Sequence, residues 1–301
     1  MVRFGFYVGS VDGTPATGGD ATLSGDYVVH TFRSSGVFEI LPDSGVTEVE
    51  VLVVAGGGGG GTSLGSGGGG GGVLHSQSLT VQAQAYSVTV GLGGVNATIT
   101  GLASYGGDSS FGSLLVAKGG AGGFGQSWAF NNKAYTLTAG GSGAGGCRHK
   151  NQGSLGTAGQ GYGGGAGSSN PRYGAGGGGG AGGPGGGTTT THGGDGGVGK
   201  AFDISGTMTY YAGGGGGGIS YGATVDDYNG GAGGIGGGGD AARSMYADGV
   251  PGAPNTGGGG GGGASASAPG STVTGAYFGG NGGSGVVIVR YHAGCQSDCA
   301  P

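Results

Sequence analysis

The sequence predicts a mainly β fold with almost no α-helix, in which β-strands enclose a bundle of polyglycine II helices. Two observations carry this prediction. Glycine supplies 95 of the 301 residues and recurs in a triplet register. Apolar, β-branched runs, typical of strands, stand on both sides of the glycine-rich stretch, at 47–55 and 285–292.

The triplet register is clearest between residues 119 and 285. GGAGGF (119–124), GGDGGV (193–198), GGAGGI (230–235) and GGNGGS (279–284) place a non-glycine residue at every third position. Three residues per turn is the pitch of the polyproline II helix, which makes no internal hydrogen bonds. Two bare faces per turn let neighbouring backbones exchange N–H···O bonds, and the variable residue falls on the third face.

Flexible linkers are the alternative for any glycine run. Glycine loses the most conformational entropy on ordering, so only a dense hydrogen-bond lattice could hold such runs in place. A register that persists across separate runs favours the ordered bundle. Collagen is excluded, because it needs one glycine per triplet with abundant proline, and the chain has 8 prolines.

Composition excludes several functional classes. Charged residues make up 8%, with 10 basic against 15 acidic side chains and a net charge of −5, so we expect no nucleic-acid binding. We also expect neither a signal peptide nor membrane insertion, because the N-terminus lacks a secretory pattern and no run of about 18 apolar residues occurs. Cys295 and Cys299 either pair locally or stay reduced, and a cytoplasm favours the thiols.

The elements follow in chain order. Phe4, Phe6 and Val8 indicate a short strand, followed by a loop to residue 26. Strands are predicted at 27–32, 37–41 and 47–55, with a turn at 42–45; in the third, Val49, Val51 and Val53 share one face. A hairpin is predicted from 73–82 and 85–93, then strands at 109–119, 271–278 and 285–292, the last at the centre of a sheet. The single helix candidate is 240–249.

These elements divide the chain into five parts. Residues 1–26 form an N-terminal arm and 27–118 a β-rich part. The polyglycine II bundle with its loops occupies 119–270. Residues 271–292 close the β part, because strands this apolar must pair and be covered, and 293–301 form a tail that contains Cys295 and Cys299.

Two bracketing motifs, TFRSSGVFEILPDSGVTEVEVLVVAGGGGGG and GGSGVVIVRY, carry a family resemblance, with YSVTVGLGG, SSFGSLLVAKGGAGG and APNTGGGGGGG between them. Over residues 27–292 the chain resembles the glycine-rich domain of bacteriophage tail-fibre proteins. The resemblance implies a β-sandwich-like part joined to a polyglycine II bundle. It also implies a virion role at the tail tip, where loops between glycine helices contact a host receptor. The tail GCQSDCAP departs from the pattern.

Signals for catalysis are weak, and we predict no enzyme, cofactor or metal. GDGGVGKA (194–201) almost matches a phosphate-binding loop, but Ala201 replaces the metal-binding hydroxyl, and in so glycine-rich a chain the match is accidental. Cys147 and His149 lack a second metal-spaced pair. Asp226 and Asp227 could bind calcium, although a solvated turn is the more common outcome.

Large side chains cluster between the glycine runs, at 127–135, 147–151, 170–173, 188–192, 220–229 and 243–246. Aromatic rings beside Asn, Arg and Asp suit saccharide or protein recognition, and they equally suit capping of the bundle ends. The candidate receptor-binding residues are Trp128, Phe130, Asn131, Tyr135, Arg148, His149, Arg172, Tyr173, Asp227, Tyr228, Arg243 and Tyr246.

We therefore expect a viral structural protein, a tail-fibre or fibre-tip adhesin that binds a host surface glycan or protein. It would be made in the host cytoplasm, reside in the virion, contact other tail or fibre proteins and form a homo-oligomer such as a trimer. A purely structural virion or filament component is the alternative. Ice binding is a third possibility, against which the bulky, irregular loops argue.

Overall fold

The computed structural model describes residues 14–98, 101–125, 139–147, 152–168, 174–219, 229–243, 247–264 and 277–294. These residues form β-strands and extended segments, without a helix among them. The strands are β1 (Ala16–Thr17), β2 (Asp20–Ser24), β3 (Tyr27–Phe32), β4 (Gly36–Ile40), β5 (Glu48–Val54), β6 (Val73–Thr80), β7 (Ala85–Thr89), β8 (Ser109–Phe111), β9 (Leu115–Ala117), β10 (Lys200–Phe202), β11 (Thr209–Tyr211) and β12 (Val286–His292).

Two five-stranded sheets contain ten of these strands, β10 and β11 form a separate two-stranded sheet, and every strand pairing is antiparallel. One five-stranded sheet has the order β1-β4-β7-β8-β9, which we call sheet A, and the other the order β2-β3-β12-β5-β6, which we call sheet B. The prediction that the last strand is central is confirmed, because β12 lies between β3 and β5, with Ile288 opposite both Thr31 and Leu52.

A shared apolar core takes side chains from both sheets. Sheet B contributes Val49, Val51 and Val53, which face one way as the alternation predicted, together with Val287 and Val289 of β12. Sheet A contributes buried aromatic and aliphatic side chains that complete the same cluster: Phe38, Ile40, Tyr86, Val88 and Phe111.

The other face of sheet B is covered by the hairpin of β10 and β11. Leu52, Val54 and Ile288 pack there with Phe202 and Tyr211 of the hairpin. This is why β5 changes from polar to apolar on its second face: its C-terminal half lies beneath other parts of the chain.

One charged group is held on this covered face. Glu50 accepts hydrogen bonds from Arg290 Nε at 2.6 Å and from His75 Nε2 at 2.7 Å, and all three side chains are largely buried. Arg290 also donates to the carbonyl of Asp203 at 3.3 Å and lies over the ring of Tyr27. The ionic group thus connects β5, β6 and β12 to the residue that follows β10.

The remaining described chain consists mostly of extended stretches, which we call the glycine segments. Their ranges are 55–61, 65–72, 91–98, 101–107, 118–125, 139–147, 152–157, 161–168, 174–181, 182–188, 192–199, 212–219, 229–235, 237–243, 247–253, 257–264 and 277–285.

Hydrogen bonds of the segment 55–61 repeat every three residues. The N–H groups of Gly56 and Gly59 donate to segment 101–107, and those of Gly57 and Gly60 donate to 277–285. The remaining pair, Gly58 and Gly61, donates to 65–72. The carbonyls follow the same period and accept from 118–125, 91–98 and 257–264, so one segment bonds six neighbours.

The segments 65–72, 174–181, 212–219 and 257–264 have the same six-neighbour environment, and with 55–61 we call them the inner segments. Their glycines are sterically required. A Cβ placed on Gly58 would lie 2.1 Å from the carbonyl oxygen of Ala121, and one on Gly214 would lie 2.1 Å from that of Gly178. Backbones this close leave no room for a side chain.

Polar side chains complete the lattice at its edges. Where a backbone N–H has no neighbouring carbonyl, a side-chain oxygen accepts its bond, as Asp195 does for Ala232 and Asp240 for Gly233, both at 2.8 Å. The same role is played by Asp108 for Gly119, Gln160 for Lys118, Asn281 for Asn96 and Asp248 for Phe278.

Five predicted elements differ from the structure, the first being the strand at 109–119, which is two paired strands, β8 and β9, around a turn at 112–114. Residues 73–82 and 85–93 do not form a hairpin: β6 joins sheet B and β7 joins sheet A, which lets Val81 and Tyr86 both face the shared core. The predicted helix at 240–249 is wrong, because 240–243 and 247–249 are extended and the amides of Ala241 and Ala242 bond neighbouring segments.

The predicted loop before residue 26 is also wrong from residue 14 onward, since β1 pairs with β4 and β2 with β3. Residues 277 and 278 belong to a glycine segment rather than a strand. The predicted strand around Phe4, residues 271–276, Asp226, Cys295 and Cys299 lie outside the described residues.

Candidate binding face

The glycine segments run between two ends of the bundle. The proximal end is where they meet the sheets: Val54 of β5 leads into segment 55–61, and segment 277–285 leads into Val286 of β12. The opposite, distal end is marked by the turn at residues 62–65, which joins segments 55–61 and 65–72. Six glycines, residues 56–61, separate the two ends along this segment.

Hydrogen bonds bring many chain positions to this distal end. In the 62–65 turn, Ser63 N–H donates to the carbonyl of Tyr277 at 3.0 Å and Leu64 N–H to that of Ala264 at 3.3 Å. Gly65 also accepts from Gly218 at 2.8 Å. The two residues that border 265–276, Ala264 and Tyr277, therefore meet at one turn.

The borders of other intervals meet there as well. Single bridges join Ser168 to Gly174, Gly174 to Ile219, and His192 to Asn229. These residues border 169–173 and 220–228. The residues that border 99–100, 148–151 and 244–246 also lie at the distal end. The interval 126–138 is different, because Phe124 before it lies at the distal end and Gly140 after it lies at the proximal end.

A small apolar cluster closes this end of the inner segments. Ile219, Ala242 and Ala264 are buried together, and the partly buried Ala247 and Tyr277 pack against them. Leu64 is fully buried even though its φ of 60° lies in the left-handed region, where non-glycine residues are uncommon. Ser63 has a φ of 54°, so two consecutive left-handed residues reverse the chain.

The described turn at 188–192 presents exposed polar groups at the distal end. Thr188 Oγ1 donates to the carbonyl of His192 at 2.9 Å, and His192 N–H donates to Thr189 Oγ1 at 3.0 Å. Thr191 Oγ1 lies 2.8 Å from His192 Nδ1. These bonds fix the turn and leave hydroxyl, imidazole and amide groups at the surface.

Arg243 is the predicted candidate that the structure describes. Its guanidinium donates to Asp240 Oδ2 at 2.6 Å while remaining 72% exposed, so it is available for contact with a ligand. The other candidates, from Trp128 to Tyr135, Arg148, His149, Arg172, Tyr173, Asp227, Tyr228 and Tyr246, lie outside the described residues. Except for the 126–138 group, each belongs to an interval whose borders are both at the distal end.

Sequence reasoning missed the residues that build this face. The interruption of a glycine run by TSL at 62–64 was the available signal for a turn, and Ile219 at the end of a glycine run was a signal for an apolar cap. Within the described ranges, no group of three or more His, Cys, Asp or Glu residues could hold a metal ion. Nor does any described helix have the length and apolarity to cross a membrane.

Comparison with known proteins identifies one family. A family model described as a glycine-rich domain matches residues 33–292, which is most of the chain. The match includes both sheets' central strands and all the glycine segments. No curated protein matches the chain.

Proposed function

The chain belongs to the family of glycine-rich domains, and from that premise we propose that it is a non-enzymatic viral structural protein, a tail-fibre or fibre-tip adhesin. It binds a host-cell surface receptor, a glycan in the first instance, through the loops between its glycine segments. One observation carries the proposal: the described residues that border five intervals all lie at the distal end of the bundle. These intervals are 148–151, 169–173, 220–228, 244–246 and 265–276.

The frame of this adhesin is a bundle of polyglycine II helices beside a β-sandwich. Support for the helices comes from the three-residue period of the hydrogen bonds and from six bonded neighbours around each inner segment. The glycines of 56–61 and 67–72 also lie outside the left-handed region. Support for the sandwich comes from the single core shared by sheets A and B.

Recognition is favoured over capping for the aromatic-rich loops. Arg243, the candidate that the structure describes, is 72% exposed and so does not shield the ends of the inner segments. Loops carried on a rigid frame are the usual location of binding residues.

The proposal places the protein in the virion, in contact with other tail or fibre proteins and assembled as a homo-oligomer. Its net charge of −5 disfavours nucleic acid as the partner. A purely structural role in a virion or filament is the competing function, and it differs in requiring no receptor.

The test compares a substitution in a distal interval with one near the proximal end. Arg172→Ala/Tyr173→Ala should weaken binding of the labelled protein to a panel of bacterial strains and arrayed bacterial glycans about 30-fold, since such anchors contribute on the order of 2 kcal/mol. Tyr162→Ala is the matched control, because Tyr162 is an exposed tyrosine near the proximal end of a segment.

Melting temperature should stay unchanged in both variants. Binding lost only in the distal variant supports the adhesin. A wild-type protein that binds none of the strains or glycans, or a distal variant that melts earlier and binds normally, would instead indicate the purely structural role.

A further inference from the structure

One flank of the bundle carries an uncovered row of large apolar side chains. Four glycine segments lie side by side there, because Gly249 bonds Phe278, Gly282 bonds Gly94 and Gly107 bonds Leu92, each at 2.8 Å. Their outward positions hold five exposed apolar residues: Leu92, Val95, Leu102, Val250 and Phe278. Leu92 is 77% exposed, although Gly91 and Gly94 of the same segment are buried.

The outer face of sheet A adjoins this row at segment 91–98, which follows β7. Along β7, Ala85, Ser87 and Thr89 are exposed while Tyr86 and Val88 are buried, and the chain then passes directly into Leu92. On β4 the exposed Val37 lies opposite Ser87, and on β9 the exposed Val116 lies opposite Ser110 of β8. We call the combined surface, the outer face of sheet A and the four segments, the lateral face.

Charge is scarce on the lateral face. Lys118 and Asp108 at its margin neutralise each other at 2.8 Å, and Asp248 accepts the amide of Phe278. Glu39 is the exposed carboxylate on the outer face of sheet A. The whole chain has a net charge of −5, so a surface with few charges is where two like-charged copies could approach.

The size of the lateral face fits a stable contact. Five strand residues and six glycine-segment residues span about 35 Å, and four neighbouring chains span about 20 Å. The area is therefore on the order of 700 Å², close to the roughly 800 Å² that each partner buries in a standard interface.

The relief of the face points to a partner with the same pattern. Leu92 and Val95 are three residues apart, so their side chains are spaced by about 9 Å along the row. Only Gly93 and Gly94 lie between them, which leaves a gap between the two side chains. A second row with the same three-residue spacing can place its side chains in these gaps. We propose that the lateral face of one copy packs against the lateral face of a second copy across a two-fold axis, as an isologous interface.

Charge substitutions test this interface directly. Leu92→Lys/Val95→Lys and Leu92→Glu/Val95→Glu should each be monomeric by sedimentation velocity up to the order of 100 µM, whereas the wild-type chain self-associates. Because the two rows face each other, an equimolar mixture of the two variants should regain association. Leu155→Glu is the matched control, since Leu155 is 75% exposed on another flank, and it should associate like the wild type.

A monomeric wild-type chain, or equal loss of association in the Leu155 control, would overturn the proposal. Association that persists in both charged double variants would place the interface elsewhere. Melting temperatures verify that each variant is folded. Receptor binding is not measured in this experiment, so its outcome is independent of the adhesin role.

Discussion

Glu50 shows how one buried carboxylate holds several strands together. It is 14% exposed and accepts from both Arg290 and His75, so its removal would leave a guanidinium in a largely buried position without its main partner. Breaking a buried pair in this way usually costs about 3–5 kcal/mol, far more than an exposed pair contributes.

We therefore expect Glu50→Ala to lower the free energy of unfolding by about 3 kcal/mol in urea titrations. Asp20→Ala is the control, because its pair with Arg33 at 2.5 Å is exposed on both sides and should change stability by less than about 1 kcal/mol. Equal effects of the two substitutions would contradict a special role for the buried group.

His30 makes stability depend on pH. It is fully buried, its Nδ1–H donates to the carbonyl of Gly18 at 2.7 Å, and Nε2 lies 3.3 Å from the hydroxyl of Tyr291. Burial lowers the pKa of His30 below 6.5, and the bond to Gly18 opposes this only partly. Below pH 6.5 the unfolded chain consequently binds more protons at this site than the folded one.

Stability should therefore fall as the pH is lowered below about 6.5 and level off above it. Thermal melts between pH 5 and 7.5 would measure the slope, and His30→Gln should flatten it. A wild-type melting temperature that is constant over this range, or a slope that survives in the variant, would assign the pH dependence to other groups.

At the scale of the element, the glycine segments depend on glycine for steric reasons. A Cβ on Gly196 would lie 1.9 Å from the carbonyl oxygen of Gly214, and one on Gly233 would lie 2.1 Å from that of Gly238. By contrast, a Cβ on Gly183 meets only Val198 Cγ1, at 3.4 Å.

Gly196→Val and Gly233→Val should each destabilise by at least about 4 kcal/mol, because two backbones must separate, while Gly183→Ala should stay within about 0.5 kcal/mol. Urea titrations of the three variants measure the difference. If the valine variants melted like the wild type, these runs would be linkers rather than packed segments.

The strands were predictable where alternation or an apolar run was strong. β3, β4, β5 and β12 follow their predicted ranges closely, because burial on one or both faces requires that pattern. The assignment of β6 and β7 to different sheets was not predictable, since the four residues between them suit a hairpin equally well. The prediction of a helix at 240–249 was wrong because amides in this range donate hydrogen bonds to neighbouring segments instead of to carbonyls within a helix.

The candidate site was less predictable. Composition indicated which intervals between glycine runs carry large side chains. Arg243, the candidate that the structure describes, is exposed as a binding residue must be. Nothing in the sequence indicated that Ile219, Ala242 and Ala264 meet, because contacts between glycine segments depend on a backbone lattice that carries no side-chain pattern. The order in which the segments pack could not be predicted from the sequence for the same reason.

At the scale of the whole molecule, circular dichroism should report strands and extended polyproline-type backbone. The described residues include strands and glycine segments without a helix. We expect a helix content near zero, and a value above about a fifth of the residues would contradict the fold. A melt followed at wavelengths specific for strand and for polyproline-type backbone should give one midpoint, because β5 and β12 continue directly into glycine segments.

That continuity determines how the molecule carries tension. A pull between the distal end and the sheets acts along the glycine segments, whereas the hydrogen bonds of the inner segments run sideways to six neighbours. The pulling force therefore loads these hydrogen bonds in shear, so that many of them must break at the same time. We expect single-molecule pulling from Ser63 against β12 to give one high-force rupture, and a staircase of small steps would show that the segments slip individually.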